Sequence, residues 1–175
     1  MGIDKSGMTE AGRFARDGFD AAEELEAAAE AAKRYVSLFP WCKKFKKIYF
    51  DRGMVHAAVF YCEIEPNPPA DPNMWVIFGD LSPLFLDVEV AENGAQAMAA
   101  YVAVMQNLID SARKGRSLDR LPPLATRDGM YILDPTPARL DALESRLEFI
   151  RSRMITEWTA ELTGWELEPF EDEAQ

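Results

Sequence analysis

The sequence predicts an α+β domain in which a three-stranded antiparallel meander is flanked by N-terminal and C-terminal amphipathic helices. Short runs rich in β-branched and aromatic residues lie in the middle of the chain, and their connections are too short for crossover helices. Segments with an apolar period of 3.6 residues lie on either side of these runs. The chain has 175 residues, 48% of them hydrophobic, which is enough to bury one core.

The chain is expected to form one domain with a short extension at each end. Residues 1–19 are predicted to be a flexible leader, in which Phe14 and Phe19 are the only aromatic side chains. A single α+β domain follows over residues 20–165, and residues 166–175 form an acidic tail. No internal repeat divides the domain further.

The first helix is expected to begin after Asp20, because Asp20 and Glu23 have the spacing of a capping box. The residues that follow are rich in Ala and Glu, which are good helix formers. Their apolar members recur at helical spacing as far as Phe39, and Pro40 ends the helix.

Residues 41–51 fit either a second helix or, from residue 47 onward, the beginning of a strand. The apolar residues share one arc of a helical wheel, and the opposite arc holds Lys43, Lys44, Lys46 and Lys47. This spacing fits a period of 3.6 residues better than a period of 2, so it favours a helix with a basic face.

Three strands are predicted over residues 54–64, 74–81 and 84–90. Both alternating sets of side chains in the first strand are largely apolar, so we expect it to be covered on both faces. A loop with four prolines separates the first strand from the second, and a Ser-Pro turn separates the second from the third.

Two further helices are expected. Asn93 and Gln96 form a cap signature in front of a helix over about 94–114. The last helix should begin at Thr136-Pro137, where a capping residue precedes a proline at the first helical position, and should run to about Leu162.

The irregular segment 116–134 lies between these two helices. Its Asp128-Gly129 pair is flanked by short apolar runs, which predicts a small hairpin within this segment.

Composition narrows the possible functions. The net charge of −11 argues against nucleic-acid binding by the whole surface, although residues 33–52 hold seven basic residues and one acidic residue. Two cysteines, Cys42 and Cys62, indicate a reduced cytoplasmic chain rather than a disulfide scaffold. With one histidine, His56, a Cys/His zinc site is not expected, and no apolar run is long enough to span a membrane.

The residues Trp75–Pro83 read Trp-Val-Ile-Phe-Gly-Asp-Leu-Ser-Pro. This stretch resembles the core motif of a family of small bacterial proteins of unknown function, Trp-Val-Val/Ile-x-Gly-Asp-Leu-Pro-Pro, which precedes a helix with an Ala…Tyr…Met pattern. The matching helix positions here are Ala97, Tyr101 and Met105. Ser82 stands where the first proline of the pair is expected. The resemblance covers about residues 41–155 and implies a bacterial origin but no particular activity.

Asp80 follows Gly79 at a predicted strand end and is the first polar group to consider as a site. A carboxylate there can serve as a general base or a metal ligand. Gly-Asp is more typical of a turn in which the carboxylate accepts hydrogen bonds from nearby backbone N–H groups. The candidate pocket consists of Trp75, Asp80, Tyr101 and His56. No catalytic residue, metal ligand or cofactor is assigned.

Two functions compete. The first is a non-catalytic, cytoplasmic protein-binding module whose basic helix face, Lys43, Lys44, Lys46 and Lys47, contacts an acidic partner or a second copy. The alternative is a small-molecule-binding protein or enzyme that uses a pocket near Trp75, Asp80 and Tyr101. The chain lacks a nucleophile motif, a phosphate loop and an RNA-binding motif, which favours the first function and makes nucleic acid the weakest partner.

Overall fold

A computed structural model describes residues 2–167 as an α+β fold around an antiparallel sheet. The five strands lie side by side in the sheet in the same order as in the sequence. They are β1 (Thr9–Glu10), β2 (Cys42–Met54), β3 (Ala57–Pro66), β4 (Asn73–Gly79) and β5 (Leu84–Asp87). The helices are α1 (Ala22–Ser37), α2 (Gly94–Arg113), α3 (Pro137–Arg153) and the short α4 (Thr159–Leu162), with a 3-10 turn at Ile155–Trp158. The α+β class and the antiparallel sheet are confirmed, but the sheet has five strands rather than three, because β1 and β2 extend it at one edge.

Helices cover the sheet on both faces. On one face α1 packs against β3 side chains such as Phe60 and Cys62, and on the other face α2 and α3 pack against Val59 and Tyr61. These four side chains are at most 4% exposed. The prediction that this strand is covered on both sides is therefore confirmed.

Residues 41–51 do not form a helix, which corrects the prediction of a basic helix face. Residues 42–51 belong to the long strand β2, whose pairing with β3 is interrupted by three β-bulges. The first two bulges add one residue each between Cys42 and Ile48, so the apolar side chains of Cys42, Phe45 and Ile48 stand three residues apart and still pack on the α1 side of the sheet. The bulges therefore give the apolar side chains of this strand a spacing that resembles the helical period.

The helix starts agree with the sequence at α2 and α3 and differ at α1. The Asn93 carboxamide accepts a hydrogen bond from the Gln96 N–H at 2.9 Å, as predicted, and the Gln96 side chain accepts one from the Glu92 N–H at 2.8 Å. The α1 helix begins one residue later than expected. Ala21 is at the N-cap and forms no side-chain cap, so the predicted Asp20 cap is wrong.

The last predicted helix is not continuous. It begins as expected after Thr136, but α3 ends at Arg153 and the 3-10 turn follows. Around the break, the hydroxyls of Ser152 and Thr156 donate to main-chain carbonyls four residues earlier, at 2.9 and 3.0 Å. Such back-bonding bends and weakens a helix.

The predicted leader contributes to the fold over its described residues. Thr9 and Glu10 pair with Phe50 and Tyr49 of β2, and the Phe14 ring is completely buried. Of the predicted tail, Leu167 packs against the core, and residues 168–175 lie outside the described residues. Among residues 2–167, no helix combines the length and apolarity that a membrane span requires.

Candidate functional site

Two members of the predicted pocket, Trp75 and Tyr101, are core residues with no solvent exposure. The Trp75 indole N–H donates to the Ala91 carbonyl at 3.0 Å, and the Tyr101 hydroxyl donates to the Ser82 carbonyl at 2.7 Å. Burial raises the pKa of Tyr101. Both rings therefore support the surrounding structure and do not line an open pocket.

The other two members, His56 and Asp80, come together at one end of the sheet. His56 lies in the two-residue turn between β2 and β3 rather than within a strand, and Asp80 directly follows β4. The Asp80 N–H donates to the His56 carbonyl at 2.8 Å. A Cβ atom on Gly79 would lie 2.3 Å from the same carbonyl oxygen, so only glycine permits this approach.

Ser82 connects this turn to the rest of the site. Its carbonyl accepts the Tyr101 hydrogen bond from α2, and its side-chain oxygen accepts a hydrogen bond from the Ala125 N–H at 3.0 Å. A proline at this position, which the family motif has, would lack that side-chain acceptor. Ser82 thereby fixes the segment around residue 125 against the β4–β5 turn.

An open groove runs along α3 beside this turn. It consists of two adjoining depressions of about 220 and 390 Å³ that share Asp80, Leu81, Ala142 and Arg146. We name it the α3 groove and define it by three segments, residues 80–82, 124–133 and 139–150, with His56 at one end. Leu81, Leu124 and Leu143 are buried beneath it.

Three arginines line the α3 groove, together with a single carboxylate. The Arg146 guanidinium donates to the main-chain oxygen of Asp80 and lies 3.4 Å from the Asp80 carboxylate. Arg139 donates to the Asp134 carbonyl at 3.1 Å. Within residues 2–167, Arg127 has no hydrogen bond or ion pair. The groove is therefore locally basic on a chain whose net charge is −11.

The predicted hairpin around Asp128-Gly129 is present and holds Arg127. Ala125 and Ile132 form an antiparallel bridge, and the Thr126 N–H donates to the Tyr131 carbonyl at 2.8 Å. The Asp128 carboxylate accepts hydrogen bonds from the Thr126 hydroxyl at 2.7 Å and from the Met130 N–H at 3.0 Å. These bonds, chiefly the one from Thr126, lower the pKa of Asp128. Arg127 thus projects from a well-braced turn.

Two exposed apolar side chains, Phe149 and Ile132, adjoin the α3 groove. Phe149, which is 43% exposed, lines the depression next to His56. Ile132 is 75% exposed and is paired with Ala125, which lines the other depression. Directly paired residues of an antiparallel bridge point to the same side, so Ile132 borders the groove.

The four predicted interaction lysines are exposed along β2, and acidic neighbours partly balance their charge. Lys43 lies 3.2 Å from the Glu65 carboxylate, and Lys47 lies 3.7 Å from that of Glu10. The described part of β1 pairs with residues 49–50 of β2, and residues 42–47 are beyond that pairing at the sheet edge. Lysines and β-bulges on an edge strand both oppose pairing with another chain.

No metal site is formed by the part of the chain that the structure describes, because no group of three or more His, Cys, Asp or Glu side chains is suitably placed. Both cysteines are free thiols, and burial raises the pKa of Cys62. Neither thiol lines the α3 groove.

No family model, curated protein or solved structure matches this chain. The resemblance of Trp75–Pro83 to the bacterial family therefore stays a prediction.

Sequence reasoning identified Asp80 and His56 but missed Arg127, Arg139 and Arg146. The one signal for them was the seven-residue spacing that places Arg139 and Arg146 on one side of a helix.

Proposed function

We propose that the protein is a non-catalytic protein-binding module of the bacterial cytoplasm, and that its α3 groove holds an acidic segment of a partner protein. The convergence of Arg127, Arg139 and Arg146 on one open groove carries this proposal. Arg127 and the two α3 residues come from separate elements, and only Asp80 contributes an opposing carboxylate. Charge complementarity therefore selects an anionic ligand.

Guanidinium groups suit this role because each presents a planar set of N–H donors that matches a carboxylate. Arg139 and Arg146 are seven residues apart on α3, a rise of about 10.5 Å. In a polyproline II segment, residues three apart point to the same side and are separated by about 9 Å. A segment with an acidic residue at every third position would therefore match the two arginines.

The shape of the α3 groove favours a polypeptide over a small molecule. Small-molecule sites usually enclose most of the ligand surface. The two depressions here are open and share four lining residues, the exposed Phe149 side chain lines one of them, and the exposed Ile132 is paired with Ala125, which lines the other. These side chains offer apolar contacts to residues on either side of the acidic positions.

A second candidate is the binding of a small anionic molecule, with or without catalysis. His56, Asp80 and Ser145 all line the same depression of about 390 Å³, so an imidazole, a carboxylate and a hydroxyl face a common space. A small anion would use the same arginines, which makes this alternative testable with the same variants.

The test is fluorescence polarisation with a labelled peptide of about twelve residues that repeats Glu-Pro-Leu. We expect the Arg127→Gln/Arg139→Gln/Arg146→Gln variant to bind at least about 100-fold more weakly, since each lost charge-assisted hydrogen bond is worth about 1.5 kcal/mol. The matched control, Lys43→Gln/Lys44→Gln/Lys46→Gln, removes the same charge from β2 and should retain the affinity.

Equal losses in both variants would show that only overall charge matters and would contradict the proposal. Citrate is the small-molecule comparison. If citrate binds in an arginine-dependent manner and the peptide does not, the second candidate replaces the first.

A further inference from the structure

A separate hollow lies on the α1 side of the sheet, at the opposite end of β4 from Asp80. It has a volume of about 230 Å³, and Met74, which is 4% exposed, lies at its base. Trp41 and Phe85 line it, together with the loop residues Pro69 to Asp71. We name it the Trp41 hollow.

The aromatic rings of the Trp41 hollow are held in place by one another. Phe39 stacks on Trp41 with ring centroids 5.0 Å apart and an interplanar angle of 13°. Phe85 lies 4.9 Å from Trp41 and 5.0 Å from Phe39. The main chain at Trp41 is also anchored, because its carbonyl accepts a hydrogen bond from the Asn67 N–H at 2.8 Å. The half-buried indole is thus preorganised beside the open space.

Two carboxylates complete the Trp41 hollow. Asp71 and Asp87 line it, both are exposed, and neither carboxylate has a hydrogen bond or ion pair within residues 2–167. Asp87 stands two residues after Phe85 on β5 and opposite Met74 on β4, so its side chain points to the same face as the Phe85 ring. The described residues that line the hollow include no lysine or arginine to neutralise the pair.

We propose that the Trp41 hollow binds a methylated or quaternary ammonium group. Aromatic faces attract such cations through the ring quadrupole, and their low hydration suits a partly apolar site. The two carboxylates add electrostatic attraction. A metal ion is a poorer match, since hard cations require more oxygen ligands than these two residues supply. The inference is independent of the α3 groove, which has the opposite charge.

Packing alone explains part of this arrangement, because Phe39, Trp41 and Phe85 also close the corner between α1 and the sheet. It does not explain two carboxylates without partners beside the exposed part of the rings. The two explanations differ in one measurable respect. A packing corner binds apolar groups without regard to charge, whereas a cation site requires the positive charge.

The probes are choline and 3,3-dimethylbutan-1-ol, which have the same shape and differ in the charge of the central atom. Binding to the full chain is followed by ligand-observed NMR and by tryptophan fluorescence. We expect choline to bind at least about tenfold more tightly than the alcohol. The surface variant Asp71→Asn/Asp87→Asn should remain folded and lose about tenfold in choline affinity, while Glu30→Gln, an exposed carboxylate on α1, should lose none.

Trp41→Phe should weaken choline binding less than Trp41→Leu does, because it keeps an aromatic face. The proposal is overturned if choline does not bind, if the alcohol binds as tightly, or if the double asparagine variant binds choline like the unaltered chain.

Discussion

Two groups of basic residues, one on β2 and one in the α3 groove, differ in how they are placed. The β2 lysines are adjacent in the sequence, exposed along an edge strand, and partly balanced by Glu10 and Glu65. The groove arginines are dispersed along the chain, converge on one concave surface, and include Arg127, which has no ion pair within residues 2–167. Charge density along a sequence therefore indicates a basic surface, but only the three-dimensional fold shows whether basic side chains converge on one concave surface.

The position of the β2 lysines on a sheet edge accounts for their charge. Bulges and lysines on an edge strand prevent unwanted pairing with other chains, which accounts for the β2 pattern without any partner. The arginines of the α3 groove do not lie on a sheet edge. Arg146 donates to Asp80 and Arg139 to the Asp134 carbonyl, whereas Arg127 has no such partner within residues 2–167.

The largest effect is expected from Gly79→Ala, which tests whether the groove depends on one close backbone contact. The added Cβ would lie 2.3 Å from the His56 carbonyl oxygen and force β4 away from the β2–β3 turn. We expect a loss of about 3 kcal/mol in the free energy of unfolding, measured in urea. Gly7→Ala, where a Cβ has no neighbour within 4 Å, should change it little. Equal effects of both variants would contradict the proposed contact.

Tyr101→Phe tests the support beneath the groove. The hydroxyl that donates to the Ser82 carbonyl would be lost, which leaves a buried acceptor without its partner. We expect a loss of about 1–2 kcal/mol in the free energy of unfolding, with an accompanying decrease in peptide affinity because the 80–82 turn loses its anchor. A variant that unfolds and binds like the unaltered chain would show that this hydrogen bond does not position the turn.

Alkaline pH acts on both regions through their tyrosines. Burial raises the pKa of Tyr101 beneath the groove, and burial together with Glu63 raises the pKa of Tyr49 beside the lysines to about 12. Tyrosines in the unfolded chain ionise near pH 10, so between about pH 10 and 12 the folded chain binds more protons than the unfolded chain. The free energy of unfolding should therefore fall as the pH rises above about 10, with a smaller fall for Tyr49→Phe. A constant value would contradict these shifts.

The smallest effect on stability is expected from Lys44→Thr/Lys46→Thr, which tests edge protection. The free energy of unfolding should change by less than about 0.5 kcal/mol, because both side chains are exposed. Self-association, measured by sedimentation velocity at increasing concentration, should increase because the edge loses its charges. Lys114→Thr/Arg116→Thr removes the same charge at another exposed position and should leave self-association unchanged. Equal association of the two variants would exclude a specific role for the edge.

Local patterns predicted the parts of this fold that depend on neighbouring residues. Helix α2 agrees almost to the residue, because its cap and its apolar period lie within the helix itself. β2 was misassigned because its bulges arise from pairing with β3, and the spacing of Cys42, Phe45 and Ile48 does not reveal them. The buried positions of Trp75 and Tyr101 depend in the same way on helices that follow later in the chain.

The candidate site was predictable only in part for a similar reason. Gly79-Asp80 carries a turn signature, and its position at the end of a strand follows from the apolar run before it. The arginines carry no such signature. Their convergence requires the Ser82–Ala125 hydrogen bond and the packing of α3 beside the turn, which are both long-range contacts.

Hydrogen exchange with and without the Glu-Pro-Leu peptide tests the central claim most directly, because it locates the ligand on the chain. Binding in the α3 groove should increase protection in residues 80–82, 124–133 and 139–150, and should leave residues 42–47 of β2 unchanged. Protection confined to residues 42–47 would contradict the account and restore the lysine edge as the interface.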